Sequence, residues 1–457
     1  MIFSLNGISV PHRKNTVGKT AERMPAPKSV TIPMSMHIGA PATPVVKVGD
    51  KVKVGSLIAE ATGFVSVPIH SSVSGTVKKL IEILTSSGKM TPAIVIESDG
   101  EMALDERISA PSVSSAEELI EAVRASGIVG LGGAGFPTHV KLRADMSGID
   151  YLIVNGAECE PYITSDTLTM TERCEDMANG IRAIQKHLGI KSVIFGIEAN
   201  KKRAVECVSA MAQNLDGVSV KVLPSVYPQG GEKVLVYHTT GRVIKVGKLP
   251  ADVGCIVLNC TTLAAIGKYL ADGIPLVEKC ITVDGGAVAS PMNVIAPVGT
   301  SMEDVFAFCG GLTSSPAKLV YGGPMMGVTV PDITAPILKN TNAILALTER
   351  EARLPKTTNC IRCGSCTNTC PFGIAPAGIE KALRKKDADR IEALEVDACM
   401  ECGCCSFVCP ANRPLVQSNK LAKQFLREVR AKEALEKARV AEEMAEKNEV
   451  KEEGGNG

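Results

Sequence analysis

Tryptophan is absent from this 457-residue chain, and aromatic residues make up only 3% of it. That scarcity excludes the stacked aromatic platforms on which single-stranded nucleic acids are held. Neither sign of charge is in excess: 50 Lys and Arg face 49 Asp and Glu, a net charge of +1. The basic stripe of a nucleic-acid binder is therefore missing as well, and no nucleic-acid partner is expected. No uninterrupted apolar run is long enough for a transmembrane helix. The segment MIFSLNGISVPHRKN lacks the long apolar run of a signal peptide. Any membrane association is thus expected to run through partners. Eight of the 16 cysteines (159, 174, 207, 255, 260, 280, 309 and 404) show no paired spacing. That argues against a disulfide framework and points to a reducing compartment.

The other eight cysteines form two copies of one run. Cys360, Cys363, Cys366 and Cys370 precede Pro371; Cys399, Cys402, Cys405 and Cys409 precede Pro410. Each reads C-x-x-C-x-x-C-x-x-x-C-P, the run that holds 4Fe–4S clusters in bacterial ferredoxins. Three closely spaced thiolates wrap one cluster from a single loop, and the fourth ligates the other. The expected ligands are Cys360, Cys363, Cys366 and Cys409 for one cluster. Cys370, Cys399, Cys402 and Cys405 are expected for the second. One run alone is compatible with zinc; two complete copies with both prolines argue for iron and single-electron chemistry. Cys404 adjoins a ligand but falls out of register and reads as a spare thiol.

The chain is too long for one core, and its character changes along its length. Residues 29–100 read as short strands at Val45–Gly49, Gly55–Ala59, Phe64–Pro68 and Gly75–Ile83, broken by Gly, Pro and Ser. VVKVGDKVKVGSLIAEATG followed by IHSSVSGTV resembles the flattened barrel of biotinyl and lipoyl carriers. The intervening ATGFVSVPIH has no lysine to carry a prosthetic group, so a structural or docking module is expected. Residues 114–270 alternate strands (Tyr151–Val154, Ser192–Ile197, Val218–Leu223, Cys255–Leu258) with helices near 170–189 and 200–213. A capped helix at SSAEELIEAVRAS precedes them. This alternation predicts an α/β layer with a largely parallel sheet and ligands beyond its carboxyl edge. Residues 275–335 return to short strands around a helix near Ser301–Phe308, an α+β pattern. A helix, GIEKALRKKDADRIEAL, is expected between the cysteine runs. From about Leu426 a charged helix or disordered tail runs to Gly454–Gly457.

A second chemical site is suggested by GIVGLGGAGFPTHVKL (127–142), which contains Gly130, Gly132 and Gly135. A standard dinucleotide fingerprint follows a full strand and opens a long helix. Here a helix precedes the loop and Pro137 follows it, so that reading is rejected. Glycines at this density still let backbone N–H groups approach a phosphate; a turn serving only packing is the plain alternative. YLIVNGAECEP, YPQGGEK and LNCTTL each place polar residues just past a strand. Converging there, they suit a flavin phosphate, ribityl chain and ring edge.

Together these segments resemble the flavin-binding, NADH-oxidising subunit of respiratory complex I. They are more closely similar to the RnfC family of the Rnf electron-transport complex, over nearly the whole chain. The resemblance implies a multidomain α/β and α+β fold. Its parts would be a barrel-sandwich domain (1–105), an FMN- and NADH-binding α/β domain (110–270) and a β-grasp, SLBB-like domain (271–345). A helical ferredoxin-type domain with two clusters (350–425) and the charged tail (426–457) would follow. Gly130, Gly132 and Lys141 then match the loop around FMN, and Asn155 and Glu158 its ribityl and ring contacts. Tyr227 and Gly230 match another FMN loop, and Asn259 and Thr262 a phosphate-side contact. Phe136, Glu160 and Glu232 match positions near NADH. Ala157 departs from the complex I pattern by replacing an Asp, and Gly231 by replacing a Glu. Each site residue has a plainer reading: Lys141 as an exposed helix lysine, Glu158 or Glu160 facing solvent, Tyr227 in the core. His139 and Cys159 are given no role.

The implied function is the NAD(H)-handling subunit of a membrane-bound ferredoxin:NAD+ oxidoreductase, with two 4Fe–4S clusters and FMN. Its expected partners are integral membrane and iron–sulfur subunits that couple transfer to ion translocation, with ferredoxin acting indirectly. It would sit peripherally on the cytoplasmic face of the cell membrane. Hydride transfer needs no general acid or base, so no catalytic residue of that kind is expected. The alternatives are a soluble NADH-dependent cobalamin reductase of a microcompartment and a non-catalytic electron-relay or docking subunit.

Overall fold

The computed structural model describes residues 7–453, with side chains described to residue 440. The expected Gly454–Gly457 end lies outside the described residues. Two compact units emerge, one of residues 9–354 and one formed mainly by residues from 355 onward.

The first unit opens with a flattened barrel. Lys51–Val52, Gly75–Leu84, Met90–Ser98 and Ser29–Pro33 pair antiparallel in that order. A smaller sheet of Thr43–Pro44, Leu57–Glu60 and Ile69–His70 completes it. Val30 and Ile32, and Ile94 and Ile96, alternate inward with Val77, Ile58 and Ile69 to form its core. Two expected strands are absent. Val45–Gly49 is a loop and turn in which the Lys47 N–H bonds the Asp50 carboxylate at 2.8 Å and Gly49 has φ +97°. Phe64–Pro68 is bent, because the Ser66 hydroxyl bonds the Ala40 carbonyl instead of leaving the backbone to a ladder.

The α/β layer follows as expected from the alternation. Ser115 caps helix Ala116–Ala125 by accepting the Glu118 N–H. The parallel sheet runs Val218–Leu223, Ser192–Glu198, Tyr151–Gly156, Cys255–Asn259. Helices Cys174–Leu188 and Cys260–Asp272 bury Ile181, Ile184, Leu263 and Ile266 with the sheet residues Leu152, Val154 and Ile256.

A six-stranded mixed sheet forms the third part, with helix Met302–Phe308 capped by Ser301. Its edge strand is Ala21–Arg23, which pairs in parallel with Asn293–Ile295. A segment grouped by sequence with the 1–105 barrel thus belongs to this sheet, where the Met24 N–H also reaches the Ile295 carbonyl. Parallel pairing with a distant strand leaves no local turn signal to announce it.

The second unit is helical. The single helix expected between the cysteine runs is two, Pro376–Arg384 and Ala388–Ala393. Lys386 takes φ +54° and Asp387 caps the second helix by accepting the Arg390 N–H, so the chain stops and restarts. Ile374, Ile379, Ile391, Val396 and Leu426 make its core. The helix Leu415–Glu453 carries the charged segment.

Candidate functional site

The glycine loop is a closed turn. The Gly130 N–H donates to the Phe136 carbonyl at 2.8 Å, and the Gly135 N–H to the Gly130 carbonyl at 3.1 Å. Gly132, Gly133 and Ala134 stay exposed while Leu131 is buried, and Phe136 is half-buried. The loop rests on the start of helix Cys260–Asp272. Thr262 Oγ1 accepts the Leu131 N–H at 2.9 Å. Asn259, the helix N-cap, accepts the N–H groups of Thr261 and Thr262 and donates to Asp166 Oδ2 at 2.7 Å. A Cβ on Gly132 would lie 2.9 Å from Asn259 Nδ2, so any side chain there would press on this cap.

A second group gathers one strand over. Asn155, in register with Asn259, donates to the Gly230 carbonyl at 2.9 Å and accepts the Ala157 N–H at 3.1 Å. A Cβ at Gly230 would meet the Ala157 carbonyl at 2.4 Å. Gly230 N–H points to Cys159 Sγ at 3.3 Å, which gives that thiol a structural role; burial pushes it up to about 12. Lys141 Nζ bonds Glu232 Oε1 at 2.8 Å and the Val257 carbonyl at 3.0 Å, so it is not a free surface lysine. Tyr227 is buried. These residues all lie at the carboxyl edge of the parallel sheet, where open α/β layers bind ligands.

The two carboxylates of NGAECEP part company. Glu158 is buried and accepts the Asp166 N–H and the Thr167 hydroxyl, both at 2.7 Å, with Lys14 Nζ 3.7 Å away. Burial raises its pKa against the pull of Lys14. Glu160 turns to the 322–327 loop, where it accepts the N–H groups of Met325 at 3.0 Å and Met326 at 2.8 Å. Burial lifts its pKa to about 7.

The eight motif cysteines sort into two cavities. Cys360, Cys363, Cys366 and Cys409 line one of about 210 Å³. Cys370, Cys399, Cys402 and Cys405 line the other, together with Cys404. The four motif thiols in each cavity are the soft donors that an iron–sulfur cluster takes, with Cys404 a fifth thiol in the second. Cys360 and Cys363 are exposed, whereas Cys370, Cys402 and Cys405 are buried. Beside the first cavity Arg413 is held by Glu380, Nε to Oε2 at 2.7 Å, and by the Thr358 carbonyl at 2.9 Å.

Several residues at the site had no motif to announce them. Lys14 reaches Glu158 from the N-terminal arm. Asn340 donates to the Gly133 carbonyl at 2.7 Å, and Lys279 to the Leu131 carbonyl at 3.1 Å. Lys279 is 3% exposed, and among the described residues no carboxylate lies within ion-pair distance of it. Its signal was a charge at the same strand parity as Ile281 and Val283. The exposed glycines over a helix start, beside Asn259 and Thr262 and with Asn155 in register on the next strand, fit a flavin phosphate and ribityl chain.

Four family models match successive parts of the chain. Residues 3–101 match the RnfC barrel sandwich hybrid domain and 123–268 the Nuo51 FMN-binding domain. Residues 280–329 match the SLBB domain and 354–410 the 4Fe-4S dicluster domain. The C subunit of the Na(+)-translocating ferredoxin:NAD(+) oxidoreductase complex of Acetobacterium woodii is 40% identical over 92% of this chain and 96% of its own. The chain belongs to the RnfC family. The C subunit of the proton-translocating ferredoxin:NAD(+) oxidoreductase complex of Clostridium ljungdahlii is 41% identical over 80% of each chain. The C subunit of the ion-translocating oxidoreductase complex of Rhodobacter capsulatus is 39% identical over 93% of this chain and 84% of its own. Family membership and the matched domains make the chain an oxidoreductase subunit with FMN and iron–sulfur cofactors. Among the described residues no helix is long and apolar enough to cross a membrane.

Proposed function

We propose that this chain is the NAD(H)-handling subunit of a membrane-bound ferredoxin:NAD+ oxidoreductase. It would pass electrons between nicotinamide and iron–sulfur partner subunits, while integral membrane partners translocate the ion and the chain sits on the cytoplasmic face. Bound flavin supplies the exchange between paired and single electrons, and the iron–sulfur centres supply single-electron transfer. The chain's own residues bind and orient. The 130–136 loop and the Asn259 cap would hold the phosphate end of FMN, and Asn155 its ribityl end. Lys141 and Glu232 would border the ring, and Phe136 would offer nicotinamide a stacking face. Cys360, Cys363, Cys366 and Cys409 would hold one cluster, and Cys370, Cys399, Cys402 and Cys405 the other. The observation that carries this reading is the sorting of the eight motif thiols into two cavities, four to each, in a chain that also bears the glycine loop.

A second reading, an electron relay with a degenerate nucleotide site, is favoured by two observations. Glu158 and Glu160 both spend their oxygens on protein donors, and Ala157 is buried where the complex I pattern has an Asp. NADH–ferricyanide activity after anaerobic FMN reconstitution separates the two. Activity supports the first reading; full iron without flavin binding or activity supports the second.

A further inference from the structure

The two cysteine runs share a spacing but not their surroundings. Ten residues after the last cysteine of each copy stands Glu380 in the first and Asn419 in the second. Glu380 is neutralised by Arg413. Asn419 lies in the first turns of helix Leu415–Glu453, is fully buried and lines the cavity of Cys370, Cys399, Cys402 and Cys405. Its Nδ2 donates to Cys399 Sγ at 3.4 Å, while its Oδ1 has no hydrogen-bond partner. A buried amide oxygen without a partner is costly, and an apolar residue would fill the same space without that cost. The orientation is fixed by chemistry: turned over, the amide would aim its oxygen at a thiolate.

The rest of this cavity points the same way. The Glu401 N–H also donates to Cys399 Sγ, at 3.4 Å. Lys423 braces that loop through the Cys399 carbonyl and Glu401 Oε1. Cys404, fully buried in the same wall, is hydrogen-bonded to Cys402. No side-chain amide lines the other cavity, where Ser365 Oγ lies 3.3 Å from Cys363 Sγ. Its first two cysteines are open to solvent.

We propose that Asn419 sets the reduction potential of the buried centre alone, by donating a hydrogen bond to the Cys399 sulfur. The donor stabilises the more negative, reduced state of its centre and so raises that centre's potential. Asn419 is therefore a positioning and tuning residue, not a ligand. This inference rests on the two-cluster reading. Cys363→Ala and Cys402→Ala chains test that reading separately, because each should keep one centre and identify its signal.

The test is an EPR-monitored redox titration of the full chain, reconstituted anaerobically, as wild type, Asn419→Leu and Asn419→Asp. Leucine removes the amide; aspartate keeps the shape but offers only acceptors. Both variants should keep full iron and lower the midpoint of the centre that survives in Cys363→Ala. For Asn419→Leu the expected change is about tenfold in the one-electron equilibrium, ~59 mV. The midpoint of the centre that survives in Cys402→Ala should not move. Unchanged midpoints in either iron-replete variant would overturn the proposal, as would equal shifts of both centres. Loss of iron from both variants would overturn it too, because Asn419 would then serve assembly.

Discussion

Around Gly130–Phe136 the holding groups come from distant parts of the chain: Ile38, Thr262, Lys279 and Asn340 each bond the loop backbone. Around the clusters all eight proposed ligands fall between Cys360 and Cys409. The loop is shaped by three packed domains; the cysteine cavities are shaped by one short helical unit. A change in a distant strand can therefore disturb the loop, whereas the cavities answer to their own neighbourhood.

The cysteine side of this contrast carries the largest expected effect. Cys363→Ala and Cys409→Ala should each lose about half the iron and the same EPR signal. Cys370→Ala and Cys402→Ala should lose the other half and the other signal. Unchanged iron in all four variants would contradict the grouping. Next in size is the buried Glu380–Arg413 pair. Arg413→Met leaves Glu380 buried without its main cation and should cost about 3–5 kcal/mol in urea unfolding of the cysteine unit. A double change, Glu380→Leu with Arg413→Met, should recover most of that loss.

The loop side yields smaller effects that cross domains. The Glu160 pKa rises from 4.5 to about 7 on folding. Between those values the folded chain binds the extra proton, so stability falls as pH rises through that window. Glu160→Gln should flatten that slope, by at most ~3 kcal/mol, in thermal melts taken from pH 4.5 to 7. An unaltered slope would remove Glu160 from the account. Smallest is Gly323→Ala, whose Cβ would stand 2.2 Å from Glu160 Oε2. It should cost about 1–2 kcal/mol and shift the same pH window.

What the sequence disclosed follows the same contrast. Cysteine spacing is a local property, and the grouping of Cys409 with the first run's cavity and Cys370 with the second's follows that spacing. The parallel layer was legible because its strands and helices alternate. At Val45–Gly49 and Phe64–Pro68 the β-branched and aromatic residues favour a strand, but the Asp50 and Ser66 side chains bond the backbone there instead. The fate of Glu160 was hidden because its partners are backbone N–H groups at Met325 and Met326, which no side-chain motif marks. Asn419 was hidden for a related reason: spacing identifies ligands and says little about what faces their sulfurs.

One chain is proposed to hold both flavin and iron–sulfur centres and to exchange electrons with NADH. The most direct test is anaerobic purification of the full chain, FMN reconstitution, and measurement of bound flavin, iron and NADH-driven reduction of the centres by EPR. Bound FMN with iron for two 4Fe–4S centres, both reduced on adding NADH or a stronger donor, with NADH–ferricyanide activity, is the predicted result. Full iron with neither FMN binding nor NADH oxidation would contradict it.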